Sequence, residues 1–209
     1  MSAQEAILVA LALPLTGALG IALAGRVSAN LRETVTLLTA GGLAYTVWQI
    51  LPEVMAGGRP GVTLAEVLPG IDIAFKVEPL GMLFAALASG LWIINSIYSI
   101  GYMRGNAEKN QTRFYVMFAV SLAAAMGIAF AANLFTLFLF YEILTLSTYP
   151  LVTHKGSDAA RSAGRVYLGI LIGTSIGLAL GTIATIASPP NVSHKSRILS
   201  SAARLRPVW

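Results

Sequence analysis

The residue best placed to do chemistry in this sequence is Glu142, the one acid in the apolar run Leu134-Phe-Thr-Leu-Phe-Leu-Phe-Tyr-Glu-Ile-Leu-Thr-Leu-Ser-Thr-Tyr-Pro150. It lies about eight residues from either end of the segment, hence ~12 Å deep along a helix rising 1.5 Å per residue. Insertion scales put an aspartate near the centre of a membrane helix at ~2.5–3.5 kcal/mol, so a carboxyl there faces a protein interior or a water-filled cavity, with a partner. Competition between desolvation and a nearby cation is how such a group is poised to exchange protons near neutral pH. Thr145 and Tyr149 share its helix face at i+3 and i+7, and Phe138 and Phe135 continue that face in the other direction. The chemistry this pattern suits is a proton relay; the alternative is a permanently protonated acid making a structural interhelical hydrogen bond.

A second titratable group, His154, follows the same run and is joined by Lys155. A histidine near neutral pH suits the mouth of a proton path. Asn95, Ser96 and Ser99 could line a wet path or hydrogen-bond between helices. A third feature has a different use. Gly169-Ile-Leu-Ile-Gly173-Thr-Ser-Ile-Gly177-Leu-Ala-Leu-Gly181 places four glycines at a spacing of four, which lets another helix approach closely. Gly169, Gly173, Gly177 and Gly181 are therefore expected to form a packing face.

The elements that must position these groups follow from composition. Of 209 residues, 56% are hydrophobic and 11% charged, with a mean hydropathy of +0.74; a soluble domain has roughly 25% charged residues. Spanning the hydrocarbon core takes ~20 apolar residues. Segments 6–25, 35–55, 80–102, 114–132, 134–152 and 166–187 approach that length, so about six transmembrane helices are expected over residues 1–188. The first has Glu5 where a signal peptide would be basic, and reads as a retained helix. Between the second and third, Ile71, Ile73, Phe75 and Val77 alternate with Asp72, Ala74 and Lys76 after a Leu68-Pro69-Gly70 turn. Period two predicts a strand. Paired with residues 62–67 it makes a small β-hairpin outside the membrane, where strand edges are tolerated. The fold class is thus an all-α membrane protein with one hairpin.

Arg26 and Arg32, then Arg104, Lys109 and Arg113, then Lys155, Arg161 and Arg165 fall in alternate loops, whereas the loop from Pro52 to Glu78 is acidic on balance. The positive-inside rule then places the amino terminus outside, in a bacterial cytoplasmic membrane. Trp48, Trp92 and Tyr102 are expected as interfacial anchors. Residues 189–209 carry Lys195, Arg197, Arg204 and Arg206 and no acid, the wrong sign for that side. They are expected to be disordered or held by a partner, or to follow a premature end or shifted reading frame.

Other function classes find no support. There is no cysteine, and two distant histidines do not suggest a metal site. No phosphate-binding glycine loop or nucleophile constellation occurs, and aromatic residues are not interleaved with basic ones as nucleic-acid binding requires. No cofactor is expected, and no enzyme activity of the chain by itself.

Three stretches together carry a resemblance: Phe75-Lys-Val-Glu-Pro-Leu-Gly-Met-Leu-Phe84, Tyr98-Ser-Ile-Gly-Tyr-Met103, and Asn133 through Tyr149. They resemble the antiporter-like subunits of respiratory complex I and of Mrp-type multi-subunit cation/proton antiporters. The likeness runs from about residue 5 to residue 187. It implies that Glu142 matches a fifth-helix glutamate in a buried line of proton-carrying charges, and that a hairpin precedes the third helix. It also implies partners: other membrane subunits, the lipid bilayer, and protons, with sodium as the other candidate ion. Family members have further helices in inverted repeats, and a seventh-helix lysine works with the glutamate; this sequence contains neither. The expectation is an amino-terminal portion of a proton-conducting subunit of an NADH-quinone-oxidoreductase-like or Mrp-type complex. The alternative is a truncated, transport-inactive paralogue serving as a structural or assembly subunit.

Overall fold

The computed structural model describes residues 1–68, 71–154 and 158–187. The Pro69-Gly70 turn, Lys155 and the tail beyond residue 187 lie outside the described residues, as does the side chain of Arg161. The chain forms two compact units, Met1–Ser175 and Ile176–Trp209. The order of elements is α1 (Ala3–Val27), α2 (Ala29–Met55), β1 (Gly61–Leu68), β2 (Ile71–Lys76), α3 (Pro79–Gly105), α4 (Gln111–Ala129), α5 (Leu134–Val152) and α6 (Asp158–Ala187). Among the described residues, the first five helices are long and apolar enough to cross a membrane. The sixth expected span is helical too, and begins eight residues before its apolar run.

Helix starts are set by side-chain caps. Ser2 accepts from the Glu5 amide while Glu5 reaches back to the Ser2 amide, a reciprocal cap for α1. Ser28 accepts from Leu31 N at 3.1 Å and so starts α2 six residues before its uncharged run. That early start draws Arg32 and Glu33 into the helix. Pro79 at the first position opens α3, where its missing N–H costs nothing.

In the first unit, α1 packs on α2 and α4, α2 also on α3, and α4 on α5. Because lipid removes most of the hydrophobic drive for helices to associate, close packing at small residues takes over. A Cβ on Gly17 would collide with the Thr39 side chain, one on Gly25 with Thr112, one on Gly81 with the Ala129 carbonyl, and one on Gly127 with the Phe140 ring. The buried threonines of α2 satisfy their own hydroxyls: Thr36, Thr39 and Thr46 each donate to the carbonyl four residues back at 2.8–2.9 Å.

The hairpin is as expected, antiparallel, with Val62 opposite Phe75 and Thr63 opposite Ala74, and irregular between Thr63 and Ala65 and between Glu66 and Leu68. Its second strand docks on the α4–α5 connection. Lys76 N donates to Phe130 O at 2.7 Å and Ala132 N to Ala74 O at 2.9 Å. This pairing ends α4 at Ala129, three residues before its apolar run ends, because Phe130 to Ala132 pair with the strand. Trp92 departs from expectation. It is a buried residue in the middle of α3, 1% exposed, whereas Trp48 is 64% exposed.

Candidate functional site

Helix α5 is positioned from its first residue. Asn133 Oδ1 accepts from Thr136 N at 2.8 Å, and Asn133 Nδ2 donates to Asp72 O of β2 at 2.8 Å, so one side chain caps the helix and ties it to the hairpin. Thr136 Oγ1 accepts from Ala74 N at 3.1 Å. Phe75 meets Phe140 edge-on at 5.4 Å between ring centroids. Further along, Ser147 and Ser121 of α4 share a hydrogen bond of 2.9 Å. Axial position and rotation of α5 are therefore fixed at several levels around Glu142.

Glu142 itself is half-buried. Its Oε1 is shielded from solvent and has no hydrogen-bond partner among the described residues, and none of the ion pairs found there includes it. Thr145, one turn on, is buried. Tyr149, a turn further, is half-buried beside Gly164 of α6, where an added Cβ would come within 3.1 Å of its ring. His154 lies twelve residues from Glu142, ~18 Å along the helix direction. Both its ring nitrogens are buried without partners among the described residues. Its ring sits edge-on to Phe114 at 5.6 Å. Thr145 and Tyr149 thus occupy the stretch of α5 between two titratable groups with unfilled hydrogen-bonding capacity. An imidazole carries one donor and one acceptor, and leaving a buried polar group unmade costs ~1–3 kcal/mol.

The four-spaced glycines of α6 are open. A Cβ at Gly169, Gly173, Gly177 or Gly181 would meet nothing within 4 Å among the described residues. Ser96 and Ser99 are buried and Ser99 donates to Ser96 O at 3.0 Å, whereas Asn95 lines a separate groove between α3 and α4.

One cluster was not anticipated from the sequence. Glu33, 6% exposed, accepts from Arg104 Nε at 3.0 Å and Nη2 at 2.6 Å, and from Arg32 Nη2 at 3.2 Å. Arg32, equally buried, also donates to Gln111 Oε1 at 2.7 Å and lies 5.2 Å over the Tyr115 ring. Arg104 also reaches Asn30. Arg32 and Arg104 read as loop charges in sequence, but here they join the start of α2 to the end of α3 and the start of α4. The available signal was Glu33 itself, an acid at the edge of a span with arginines in two flanking loops.

These features define an integral membrane protein: a bundle of apolar helices, an attached hairpin, and on the fifth helix a carboxyl, Glu142, whose Oε1 has no partner among the described residues. The family model for the N-terminus of NADH-ubiquinone oxidoreductase (complex I) chain 5 matches residues 69–115. Subunit A1 of a Na(+)/H(+) antiporter from Staphylococcus aureus is 28% identical over 140 residues, 63% of this chain and 17% of that protein. NADH-quinone oxidoreductase subunit N from Desulforudis audaxviator is 26% identical over 178 residues, 84% of this chain and 34% of that protein. A chain of the membrane-bound sulfane sulfur reductase (MBS), an archaeal respiratory membrane complex, has the same fold with a TM-score of 0.70, at 19% identity over 85% of this chain and 35% of that one. The resemblance drawn from residues 75–84, 98–103 and 133–149 therefore holds. The chain is related to the amino-terminal part of the antiporter-like subunits of complex I and Mrp-type complexes, and spans from about a sixth to a third of these relatives' length.

Proposed function

We propose that this chain is the amino-terminal portion of a proton-conducting antiporter-like subunit, working inside a larger membrane complex, with Glu142 as its intramembrane proton-accepting carboxylate. The observation that carries this reading is the buried Oε1 of Glu142, which has no partner among the described residues, on a helix anchored by cap, strand and ring contacts. A carboxyl at that depth retains its proton-exchange capacity only if water or another group reaches it. Thr145 and Tyr149 carry the route along α5, and His154 is the proton-collecting group at the far end. The amino terminus faces outward across a bacterial cytoplasmic membrane, which puts His154 on the inner side. The ion is the proton, with sodium the alternative cargo that the printed name of the S. aureus relative supports.

The test compares proton flux into vesicles holding the assembled complex with wild type, Glu142→Gln and Glu142→Ala. Flux in both variants is expected to drop to the level of vesicles without the complex; undiminished flux removes the relay. A second reading, a structural or assembly subunit without transport, is favoured by the open glycine row of α6. Under it Glu142→Gln leaves assembly and flux intact, while Gly173→Leu or Gly177→Leu blocks assembly.

A further inference from the structure

We propose that the bundle holds a resident water molecule between the Arg32 guanidinium and the Tyr115 hydroxyl, enclosed by the chain's own helices. Two polar atoms from different helices point to it. Arg32 Nε of α2 and Tyr115 Oη of α4 are each shielded from solvent and have no hydrogen-bond partner among the described residues. Both residues are more than nine-tenths buried, Arg32 at 6% exposure and Tyr115 at 2%. They are also neighbours, with the guanidinium carbon 5.2 Å from the centroid of the Tyr115 ring.

The other two nitrogens of Arg32 are engaged. Nη1 donates to Thr112 Oγ1 at 3.4 Å, and Nη2 donates to Gln111 Oε1 at 2.7 Å and Glu33 Oε1 at 3.2 Å. The Nε–H is the donor left over. The face of the Tyr115 ring attracts the guanidinium's charge but offers that N–H no lone pair. The phenol oxygen, which can both donate and accept, does not reach it directly. Ser99 of α3 stands near the phenol without bonding it, its own hydroxyl donating to Ser96 O at 3.0 Å.

The occupant must accept from Nε–H and pair with a hydroxyl, and the surrounding charges require it to be neutral. Glu33, Arg32 and Arg104 are the charged groups felt at the phenol. Arg104 is about half-exposed, so the enclosed charges are those of Arg32 and Glu33, which cancel. A cation there would meet the guanidinium groups, and an anion would sit beside the Glu33 carboxylate. Water is neutral, has two donors and two acceptor sites, and is the usual partner of buried polar groups left over by the protein. A side chain from elsewhere does not fit the need, because this chain already covers both residues. The water ties α2 to α4 beside the direct bonds of Arg32 to Gln111 and Thr112. It involves no residue of α5, so it stands or falls independently of the relay assigned to Glu142.

The probe is water itself. The full chain, in its assembled complex in native membranes, receives a brief X-ray pulse that converts water to hydroxyl radicals, and oxidised residues are quantified by peptide mass spectrometry. A radical born beside Tyr115 attacks that ring first. After correction for the reactivities of the free amino acids, Tyr115 is expected to be oxidised several-fold more than Phe130, an equally buried ring. A scavenger confined to bulk solvent should suppress oxidation of Leu64, exposed on the hairpin, and leave that of Tyr115 in place. Oxidation of Tyr115 no faster than that of Phe130 overturns the proposal, as does oxidation that falls in step with Leu64 when the scavenger is added. A rise at Tyr115 when chloride is exchanged for gluconate overturns it too, since a halide would then be the occupant.

Discussion

Two groups of ionisable side chains occupy this bundle, and they are built in opposite ways. Glu33 is surrounded: Arg104 grips it through two nitrogens and Arg32 through a third, with Gln111 and Asn30 among the arginines' other contacts, although Arg32 Nε has no partner among the described residues. Glu142 and His154 are left open, with buried polar atoms that have no partner among the described residues. Desolvating a charge is expensive, and a partner's hydrogen bonds are what offset it. Where the partners are supplied, the group joins helices together. Where none is found among the described residues, the buried polar atoms keep hydrogen-bonding capacity that the bundle does not use. The difference separates a charge that joins helices from polar groups whose hydrogen-bonding capacity is unused among the described residues.

The sharpest way to break that comparison is to remove each acid and measure stability. Glu33→Ala strands Arg32 in a buried site, and breaking a buried pair costs ~3–5 kcal/mol. Because Arg104 is about half-exposed and can turn to water, the loss is expected near the lower end of that range. Glu142→Gln keeps size and removes no observed hydrogen bond, so it should shift stability by less than about 1 kcal/mol. Thermal unfolding of the detergent-solubilised chain measures both. Equal losses would mean that Glu142 has a structural partner after all, and the contrast between the two acids would fail.

A smaller effect sharpens the same theme with glycines. Gly127→Ala drives a methyl into the Phe140 ring, which Phe75 already holds edge-on, so overpacking of ~1–3 kcal/mol is expected. Gly173→Ala meets nothing within 4 Å among the described residues, and by helix propensity should be neutral or gain up to about 1 kcal/mol in the isolated chain. The same thermal assay checks both. A loss at Gly173 in the isolated chain would show that its face is already occupied.

These contrasts also mark where reading the sequence succeeds. Helix α5 begins and ends where its apolar run does, because Asn133 caps it locally and its own residues decide the boundary. The hairpin was readable because alternation at Ile71 to Val77 is likewise a local signal. Residues 130–132 were not readable: they are as apolar as α4, and only the distant edge of β2 draws them out of the helix. Regular spacing drew attention to the α6 glycines, yet the glycines in contact within the first unit are isolated ones such as Gly17 and Gly127, whose role depends on what faces them. The Arg32–Glu33–Arg104 cluster was hidden for the same reason, since it gathers residues more than seventy positions apart. At Glu142 the residue type and depth were evident in sequence, but its lack of a partner among the described residues is a tertiary feature.

The smallest expected effect concerns the hairpin junction, a third kind of ionic site, fully paired but exposed. Glu78, the residue before α3, bonds Lys76 Nζ at 2.8 Å and Arg59 Nε at 3.0 Å. The hydrogen bond from Lys76, with Arg59 adding to it, holds its carboxyl below the ordinary value of 4.5. A depressed carboxylate pKa means the contribution is present above 4.5 and is lost as pH falls through the lower folded value. The thermal midpoint should therefore drop slightly as acidification passes below 4.5, and Glu78→Gln should remove that part of the pH dependence. Exposed ions are screened within about 10 Å at 0.1 M salt, so raising the salt should flatten the difference between wild type and variant. If the difference persists at high salt, the junction is shielded from solvent and resembles the Glu33 cluster more closely than its exposure indicates.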